Sequence, residues 1–434
     1  MKICIIGGGW TGLVLAYRLL RDDRQLCIIE QADQPGGLAT YHDYGGFFWD
    51  RFYHVILPQD TALIGLLEEF GLGDQLKWKQ TYTGLYVDEA FHSISSTKEF
   101  LTFPLLSPVE KFRLAATILL GSRISDWREL EKVSVEDWLV RYSGRATFER
   151  FWKPLLLAKL GSSYTRVSAV FIWSYIKRLF EAREVSAARK EKMGYVSGGY
   201  RTILGTVQDR LTHAGVDVRL GTAVERISMH PDGGLSVRSA GSTEHFDRVV
   251  FTGPLNVLGK VADDHLISIR HGDREVEYLG VACVVLVLRV PLTPFYVLNI
   301  ADDAIPFTGV IGMSTLVDTS ETNGHHLVYL PKYRLSTDPF LRKPDGEIRE
   351  IFVAGLRKMY PNLSEDDIVS VHVNRAFKVQ PLQVLNYSEI VPRIATSHPD
   401  LFVLNTAQFA NVTLSNDSVT RHVNRFAVDF SSKL

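Results

Sequence analysis

Cysteine is scarce in this sequence. Three cysteines occur among 434 residues, Cys4, Cys27 and Cys283, and each lies inside an apolar run that predicts a strand. So few cysteines argue against a disulfide framework and against a zinc cluster. We therefore expect three buried thiols in a reducing compartment, and no metal site.

Long apolar runs are missing as well. The longest, "VACVVLVL" at 281–288, ends at Arg289 and is too short to cross a bilayer. The chain enters "KICIIGGG" at once, which argues against a signal peptide. We expect no transmembrane segment, although the sequence leaves peripheral contact of an amphipathic surface with a membrane open.

Neither sign of charge is in excess. Lys plus Arg number 48 and Asp plus Glu number 49, so no overall field attracts the protein to nucleic acid. We expect a small-molecule substrate, no nucleic-acid partner and a cytoplasmic location. The final Ser432-Lys433-Leu434 would be a peroxisomal address in a eukaryotic cell. No pattern predicts the oligomeric state.

The order of predicted elements indicates an α/β protein with more than one domain. Residues 1–30 indicate a βαβ unit, with a strand, a glycine turn, a helix and the second strand "LCIIE". From about 60 to 190 the apolar spacing is mostly helical. Residues 280 to 380 are rich in strands, with a helix near 345 to 359, and the chain ends in a strand, a loop and a last helix.

A glycine-rich turn follows the first strand. Gly7, Gly9 and Gly12 match G-x-G-x-x-G between a strand and a helix, and Glu30 ends the next strand. The first glycine allows a tight turn, the second lets backbone approach a pyrophosphate, and the third lets helix and strand pack closely. The helix N-terminus would face the phosphates, and Glu30 the ribose hydroxyls. The motif predicts a dinucleotide site without identifying the dinucleotide.

A second glycine pair follows at Gly36-Gly37. Read together, "IIGGGWTGLVLAYRL", Glu30 and "QPGGLATYHDYGGFFWD" resemble the flavin amine oxidase superfamily, which includes monoamine and polyamine oxidases, protoporphyrinogen oxidase, phytoene desaturase and, more distantly, UDP-galactopyranose mutase. In those proteins a loop like Gly36-Gly37-Leu38 runs along FAD toward its isoalloxazine ring. The resemblance implies an FAD-dependent oxidoreductase that takes a hydride from an amine or desaturates a C–C bond.

The resemblance extends along the chain and implies a division into two discontinuous domains. A Rossmann-like FAD-binding domain would comprise 1–75, 190–258 and 395–434. An α+β substrate domain with a helical insertion would comprise 76–189 and 259–394. The residues expected to bind the cofactor are Gly7, Gly9, Trp10, Thr11, Gly12, Glu30, Gln31, Gly36, Gly37, Leu38, Ala39, Val224, Asn405, Ser418 and Val419.

Two features near the C-terminus depart from the family pattern. The usual Gly-Asp that contacts the flavin ribityl chain is replaced in "LFVLNTAQFANVTLSND", where Asn405 stands at the corresponding place. The cysteine that attaches FAD covalently in monoamine oxidases is missing, so non-covalent FAD is implied. The last helix would be capped by Asn416, Asp417 or Ser418, and its N-terminus would stabilise negative charge on the reduced flavin.

His54 is the candidate catalytic residue. The spacing Asp50-x-x-x-His54 resembles the Asp-x-Gly-x-His element beside the flavin in several branches, with Phe52 in the glycine position. If the segment were extended, Phe52 and His54 would share one side with Asp50. His54 would orient substrate or move a proton, and the alternative is a buried histidine bonded to backbone.

Two other functions remain open at the level of sequence. A non-redox flavoenzyme of the UDP-galactopyranose mutase type would need arginines for a pyrophosphate, and the helical region contains Arg145, Arg150, Arg166 and Arg178. A flavin-binding scaffold without turnover is the third interpretation.

Overall fold

The computed structural model describes residues 1–185, 191–267 and 276–431. The predicted peroxisomal address at 432–434 lies outside these residues. The strands are β1 Lys2–Ile6, β2 Gln25–Ile29, β3 Tyr41–Asp43, β4 Phe48–Asp50, β5 Leu76–Gln80, β6 Thr83–Val87, β7 Ala90–Ser93, β8 Lys192–Val196, β9 Asp217–Arg219, β10 Val224–Met229, β11 Leu235–Ser239, β12 Ser242–Phe246, β13 Arg248–Phe251, β14 Tyr278–Leu288, β15 Val297–Ile300, β16 Gly309–Gly312, β17 His326–Leu335, β18 Ile368–Pro381 and β19 Leu401–Val403.

The helices follow the predicted apolar spacing closely. The helix predicted near 345 to 359 is present at Asp345–Met359. The helices are α1 Trp10–Leu19, α2 Thr61–Glu69, α3 Thr97–Thr102, α4 Pro108–Arg123, α5 Val135–Ser143, α6 Arg145–Thr147, α7 Lys153–Leu160, α8 Ala169–Val185, α9 Gly199–His213, α10 Leu255–Val261, α11 Met313–Leu316, α12 Asp345–Met359, α13 Tyr387–Ile390 and α14 Asn416–Ser431.

A five-stranded parallel sheet forms one layer, in the order β19-β13-β1-β2-β9. Strands from the two ends and the middle of the chain therefore meet in one sheet. Helix α1 packs on this sheet with Leu13, Ala16 and Leu19 fully buried, because its apolar residues recur at helical spacing. The predicted α/β class with a parallel sheet is confirmed.

A seven-stranded mixed sheet forms the second layer, in the order β18-β14-β17-β16-β15-β6-β7. Strand β14 lies inside this sheet and is buried along its whole length, which explains its unbroken apolar run. The three cysteines are buried in β1, β2 and β14, as expected.

Strands also interrupt the region whose spacing is mostly helical. β5, β6 and β7 lie between 76 and 93, and β6 pairs in parallel with β15, more than 200 positions later in the chain. A strand whose partner is so distant leaves only a short local signal, and tertiary pairing decides its conformation.

Candidate cofactor and active site

The first glycine turn is built by close backbone approach. Gly7 has a φ of 112°, a conformation that favours glycine. A Cβ on Gly12 would lie 1.9 Å from the carbonyl oxygen of Gly7, so α1 can cross this turn only without a side chain there. Gly9 caps α1, and no side chain accepts a hydrogen bond at that cap. The start of α1 is therefore formed by backbone N–H groups, as a phosphate site requires.

The two residues after Gly9 have different surroundings. Trp10 is buried, and its indole Nε1 donates to Thr420 Oγ1 of α14 at 3.1 Å. Thr11 is half-buried in the first turn of α1. Trp10 thus ties α1 to α14, and Thr11 remains available at the helix N-terminus.

Glu30 holds the glycine turn in place. One carboxylate oxygen accepts from the N–H of Gly8 at 2.6 Å, and the other accepts from the N–H of Ala32 at 2.8 Å. Gln31, between Glu30 and Ala32, is exposed. The carboxylate therefore lies at the end of β2 beside the turn, where a ribose acid is expected.

The second glycine pair lies directly against the first turn. The N–H of Gly36 donates to the carbonyl of Gly8 at 2.8 Å, and a Cβ on Gly37 would lie 3.2 Å from the Cα of Gly9. Gly36 and Gly37 have φ values of 107° and 59°. The two loops, which the sequence separates by about 25 residues, form one backbone surface.

Three further predicted residues border this surface. Leu38 is half-buried and Ala39 is buried in the core beneath the loop. Val224 begins β10, two positions after Thr222, whose N–H donates to the carbonyl of Glu30 at 2.8 Å. The structure therefore brings Val224 to the same end of the sheet as Glu30.

Asn405 is buried, and both ends of its side chain have partners in the protein. Its Nδ2 donates to the carbonyl of Gly253 at 2.8 Å, and its Oδ1 accepts from the N–H of Ala407 at 3.0 Å. This arrangement is a cap on a short 3-10 turn after β19. The predicted contact of Asn405 with a ribityl chain stays a prediction.

The cap of the last helix differs from the prediction. Helix α14 begins at Asn416, and Ser415 Oγ accepts from the N–H of Ser418 at 3.1 Å, so Ser415 is the capping residue. Asp417 accepts instead from the N–H groups at the start of α2. Ser418 Oγ donates to a loop carbonyl, and Val419 is buried beside it.

The segment that leads to His54 is not a continuous strand. β4 ends at Asp50, and neighbouring Trp49 and Asp50 are both buried. The expected alternation of sides from Asp50 through Phe52 to His54 is therefore wrong beyond Asp50. The hydroxyls of Tyr44 and Tyr329 donate to the carbonyl of Asp50 at 3.1 Å and 2.6 Å, which fixes the backbone where the strand stops.

Asp50 and His54 nevertheless lie together. His54 Nδ1 is 3.8 Å from Asp50 Oδ2 and has no hydrogen-bond partner in the described part of the chain. Asp50 Oδ1 accepts from the backbone N–H of Tyr200 at 2.7 Å. Burial raises the pKa of Asp50 to about 7 and lowers the pKa of His54 to about 4. His54 is therefore neutral at physiological pH.

Tyr200 connects this pair to the two helix N-termini, a role that sequence reasoning missed. Its ring contacts Trp10 and His54, with centroids 6.1 Å and 4.9 Å away, and its hydroxyl accepts from Asn416 Nδ2 at 2.5 Å. The stretch "VSGGYR" predicted a glycine turn and a helix. Nothing local in it indicated that the helix would begin against Asp50.

The arginines that a sugar-nucleotide site would need do not converge. Each forms an ion pair with a different carboxylate of the chain: Arg145 with Glu136, Arg150 with Glu110, Arg166 with Glu277 and Arg178 with Asp60. A pyrophosphate would have to displace these partners. The described residues therefore do not favour the mutase alternative.

The residues present fit an adenine dinucleotide at the end of the parallel sheet. Glycines stand where a Cβ would fill the cradle, the start of α1 has no side-chain cap, and the Glu30 carboxylate lies beside the turn, where a ribose could be bound. No group of three or more potential metal ligands occurs among the described residues.

One protein family matches most of this chain, and individual relatives match shorter parts of it. The family described as flavin containing amine oxidoreductase matches residues 10–423. Zeta-carotene desaturase of Capsicum annuum is 25% identical over 185 residues, which cover 36% of this chain and 31% of that protein. Coproporphyrinogen III oxidase of Mycobacterium tuberculosis is 35% identical over 75 residues, 17% of each protein. The matched stretches span less than a third of these relatives.

Solved structures share the fold. A protein of Exiguobacterium sp. 255-15 assigned as a protoporphyrinogen oxidase has a TM-score of 0.79 at 17% identity, over 100% of this chain and 99% of that one. Reduced UDP-galactopyranose mutase has a TM-score of 0.74 at 15% identity, over 100% and 94%. Identities this low show the fold alone. Because the family match covers nearly the whole chain, the protein belongs to the family of flavin containing amine oxidoreductases.

Proposed function

We propose that the protein transfers a hydride from a C–H bond of a small organic substrate, an amine or a C–C bond that becomes desaturated, to non-covalently bound FAD. The observation that carries this proposal is the joining of two glycine loops into one backbone surface at the end of the parallel sheet. FAD, when bound, supplies the hydride acceptor. No cysteine follows Cys283, and Cys283 itself is buried in β14, which supports non-covalent attachment.

Different residues of the chain are proposed to bind different parts of FAD. Backbone N–H groups at the start of α1 would hold the phosphates, and Glu30 would hold the ribose hydroxyls while it keeps Gly8 in place. The loop from Gly36 to Ala39 would pass along the cofactor. The backbone of Val224 would contact adenine.

His54 is proposed to act on the substrate side. Burial keeps its ring neutral by lowering its pKa to about 4, and its Nδ1 has no hydrogen-bond partner in the described chain, so the ring is proposed to orient a polar substrate group. Asp50 is proposed to position the segment that leads to His54. Its side chain accepts a hydrogen bond from the N–H of Tyr200, and its backbone carbonyl accepts hydrogen bonds from two tyrosine hydroxyls.

The sheet composition also supports the proposed division of the chain. All five strands of the parallel sheet fall within 1–75, 190–258 and 395–434, and all seven strands of the mixed sheet fall within 76–189 and 259–394. We propose the first set as the FAD-binding domain and the second as the substrate domain.

The decisive experiment is anaerobic reduction of the bound flavin. The purified protein should be yellow, and heat or acid should release all of its FAD. Amines, reduced tetrapyrroles and polyenes are then added one at a time without oxygen, and a substrate should bleach the visible flavin band. Protein that stays colourless after FAD addition would contradict the cofactor site. Turnover of a sugar nucleotide only after dithionite reduction would favour the mutase alternative.

A further inference from the structure

Helices α3 and α4 expose a concentrated set of large apolar side chains. Leu101, Val109 and Phe112 are 62%, 66% and 75% exposed, and Leu119 and Leu120 are each 40% exposed. On α4, Val109, Phe112 and Leu119 follow one another at intervals of three and seven residues, and Leu120 is adjacent, so the four side chains share one helical face. Several large apolar side chains exposed on one helical face mark a candidate interaction site.

The opposite face of α4 is well packed. Leu114 and Thr117 are 1% exposed, and a Cβ on Gly121 would lie 3.4 Å from both Trp138 and Ile176. Capping by Ser107 and Glu110 fixes the start of the helix. Helix α4 is therefore firmly held, and its outer face is apolar in the folded protein.

The exposed charged residues of α4 itself are all cations. Lys111, Arg113 and Arg123 are the cations of α4, and both arginines are exposed. The only acid of the helix, Glu110, is buried and pairs with Arg150 at 3.1 Å. The apolar face is thus bordered by positive charge.

The two other acids of the segment 97–128 have local partners. Glu99 belongs to the capping box of Ser96, and Asp126 pairs with Arg128 at 3.2 Å. Neither lies on α4. The segment 97–128 contains five cations and three acids, so its net charge is positive although the whole chain is nearly neutral.

We propose that the α3–α4 face docks the protein on a bilayer that contains anionic phospholipids, with α4 lying in the plane of the interface. An exposed apolar face with cations at its border is the pattern of an interfacial helix. A second copy of the chain is a poorer occupant, because a symmetric contact would bring the same cations together. No helix within the described ranges is long and apolar enough to cross a membrane, so this docking is peripheral.

The test is sedimentation of the FAD-loaded full-length protein with vesicles of phosphatidylcholine alone or with added phosphatidylglycerol. Binding should occur and should be stronger with phosphatidylglycerol. The Val109→Ser/Phe112→Ser double variant should bind at least about tenfold more weakly to both kinds of vesicle. The Arg113→Gln/Arg123→Gln variant should lose about tenfold or more of its affinity for the anionic vesicles alone.

A matched control uses two apolar residues elsewhere that are also more than half exposed. Met229 is 54% exposed and Val428 is 70% exposed, and both lie outside α3 and α4. The Met229→Ser/Val428→Ser variant should bind vesicles like the wild type. All variants should keep their FAD and their thermal midpoint. Failure of the wild type to bind either vesicle, equal binding by all variants, or a concentration-dependent dimer lost in Val109→Ser/Phe112→Ser would overturn the proposal.

Discussion

The two sides of the candidate site are built by different means. The candidate cofactor side is formed mainly by backbone atoms. Glycines in the Gly7–Gly12 turn and the Gly36-Gly37 pair have no side chains, and this lets the two loops lie in contact. On the Asp50–His54 side, buried side chains from β4, α9 and the mixed sheet meet. A backbone site depends on short local patterns, whereas a side-chain site depends on which distant elements pack together.

The difference predicts different failures. Adding an atom to the glycine surface should abolish cofactor binding, because close contacts cannot be relieved by side-chain movement. Changing a side chain around His54 should leave the cofactor bound and alter rate or pH dependence. Substitutions at the two sides can therefore distinguish loss of the flavin from a change in rate or pH dependence.

The largest effect is expected for Gly12→Val. Its Cβ would lie 1.9 Å from the carbonyl oxygen of Gly7, and α1 would have to move away from the turn. We expect destabilisation by about 3 kcal/mol or more and loss of the flavin. Flavin absorbance per protein and circular dichroism measure both effects. As a control, Gly65→Ala in α2 meets no atom within 4 Å and should keep its flavin. A fully yellow, stable Gly12→Val protein would contradict the close-approach argument.

A large effect on rate alone is expected for His54→Gln. If His54 moves a proton, flavin bleaching by the substrate should slow by roughly a hundredfold. The flavin content should be unchanged, because no predicted cofactor contact involves this side chain. Stopped-flow absorbance under anaerobic conditions measures the rate. Unchanged bleaching with a lower thermal midpoint would instead identify His54 as a buried structural histidine.

A comparison of Asp50→Ala with Asp50→Asn should separate packing from charge. Alanine leaves the buried N–H of Tyr200 without its acceptor, which costs roughly 1–3 kcal/mol of unfolding free energy. Asparagine retains an oxygen acceptor at that place and should cost less. Urea unfolding at pH 5, where the wild-type carboxyl is mostly neutral, measures the difference. Equal losses in both variants would show that the hydrogen bond is unimportant.

The pH dependence of stability gives a further test of the same carboxyl. The folded-state pKa of Asp50 is raised from 3.8 to about 7 by burial, so its contribution to the free energy of unfolding is fully present below 3.8 and is lost as pH rises through 7. His54 acts in the opposite direction. Its pKa is lowered from 6.5 to about 4, so stability is lost as pH falls between those values.

Asp50→Asn should therefore remove the decline in the free energy of unfolding toward pH 8. The decline at acid pH that His54 causes should remain. His54→Gln should make the decline in the free energy of unfolding between pH 6.5 and pH 4 smaller. Urea unfolding between pH 4 and pH 8 in steps measures both slopes. A wild-type profile that Asp50→Asn leaves unaltered would mean that Asp50 does not titrate in this range.

The smallest effect is expected for Arg166→Gln. Arg166 pairs with Glu277 on the surface, and both side chains are nearly half exposed. Breaking such a pair should cost below about 1 kcal/mol, and flavin content and bleaching rate should not change. Thermal unfolding and the anaerobic assay measure this. A strong loss of turnover would reopen the arginine-lined site that the ion pairs argue against.

Much of the cofactor side could be predicted from the sequence. The glycine turn, Glu30 and Gly36-Gly37 are local patterns with direct steric meaning, and helices such as Asp345–Met359 follow from apolar periodicity. The exact capping residue of α14 was harder to predict. The cap at Ser415 differs from the predicted residues by one to three positions, since several adjacent polar residues there can serve as caps.

The sequence by itself therefore determined the α/β class, the tight glycine turn after β1 and the family, because each rests on residue patterns within short segments. Only the tertiary structure decided that β4 stops at Asp50, that Tyr200 bridges His54 and Trp10, and that α4 presents a second apolar face outward. Burial and long-range pairing set these features, and neither is encoded in local periodicity.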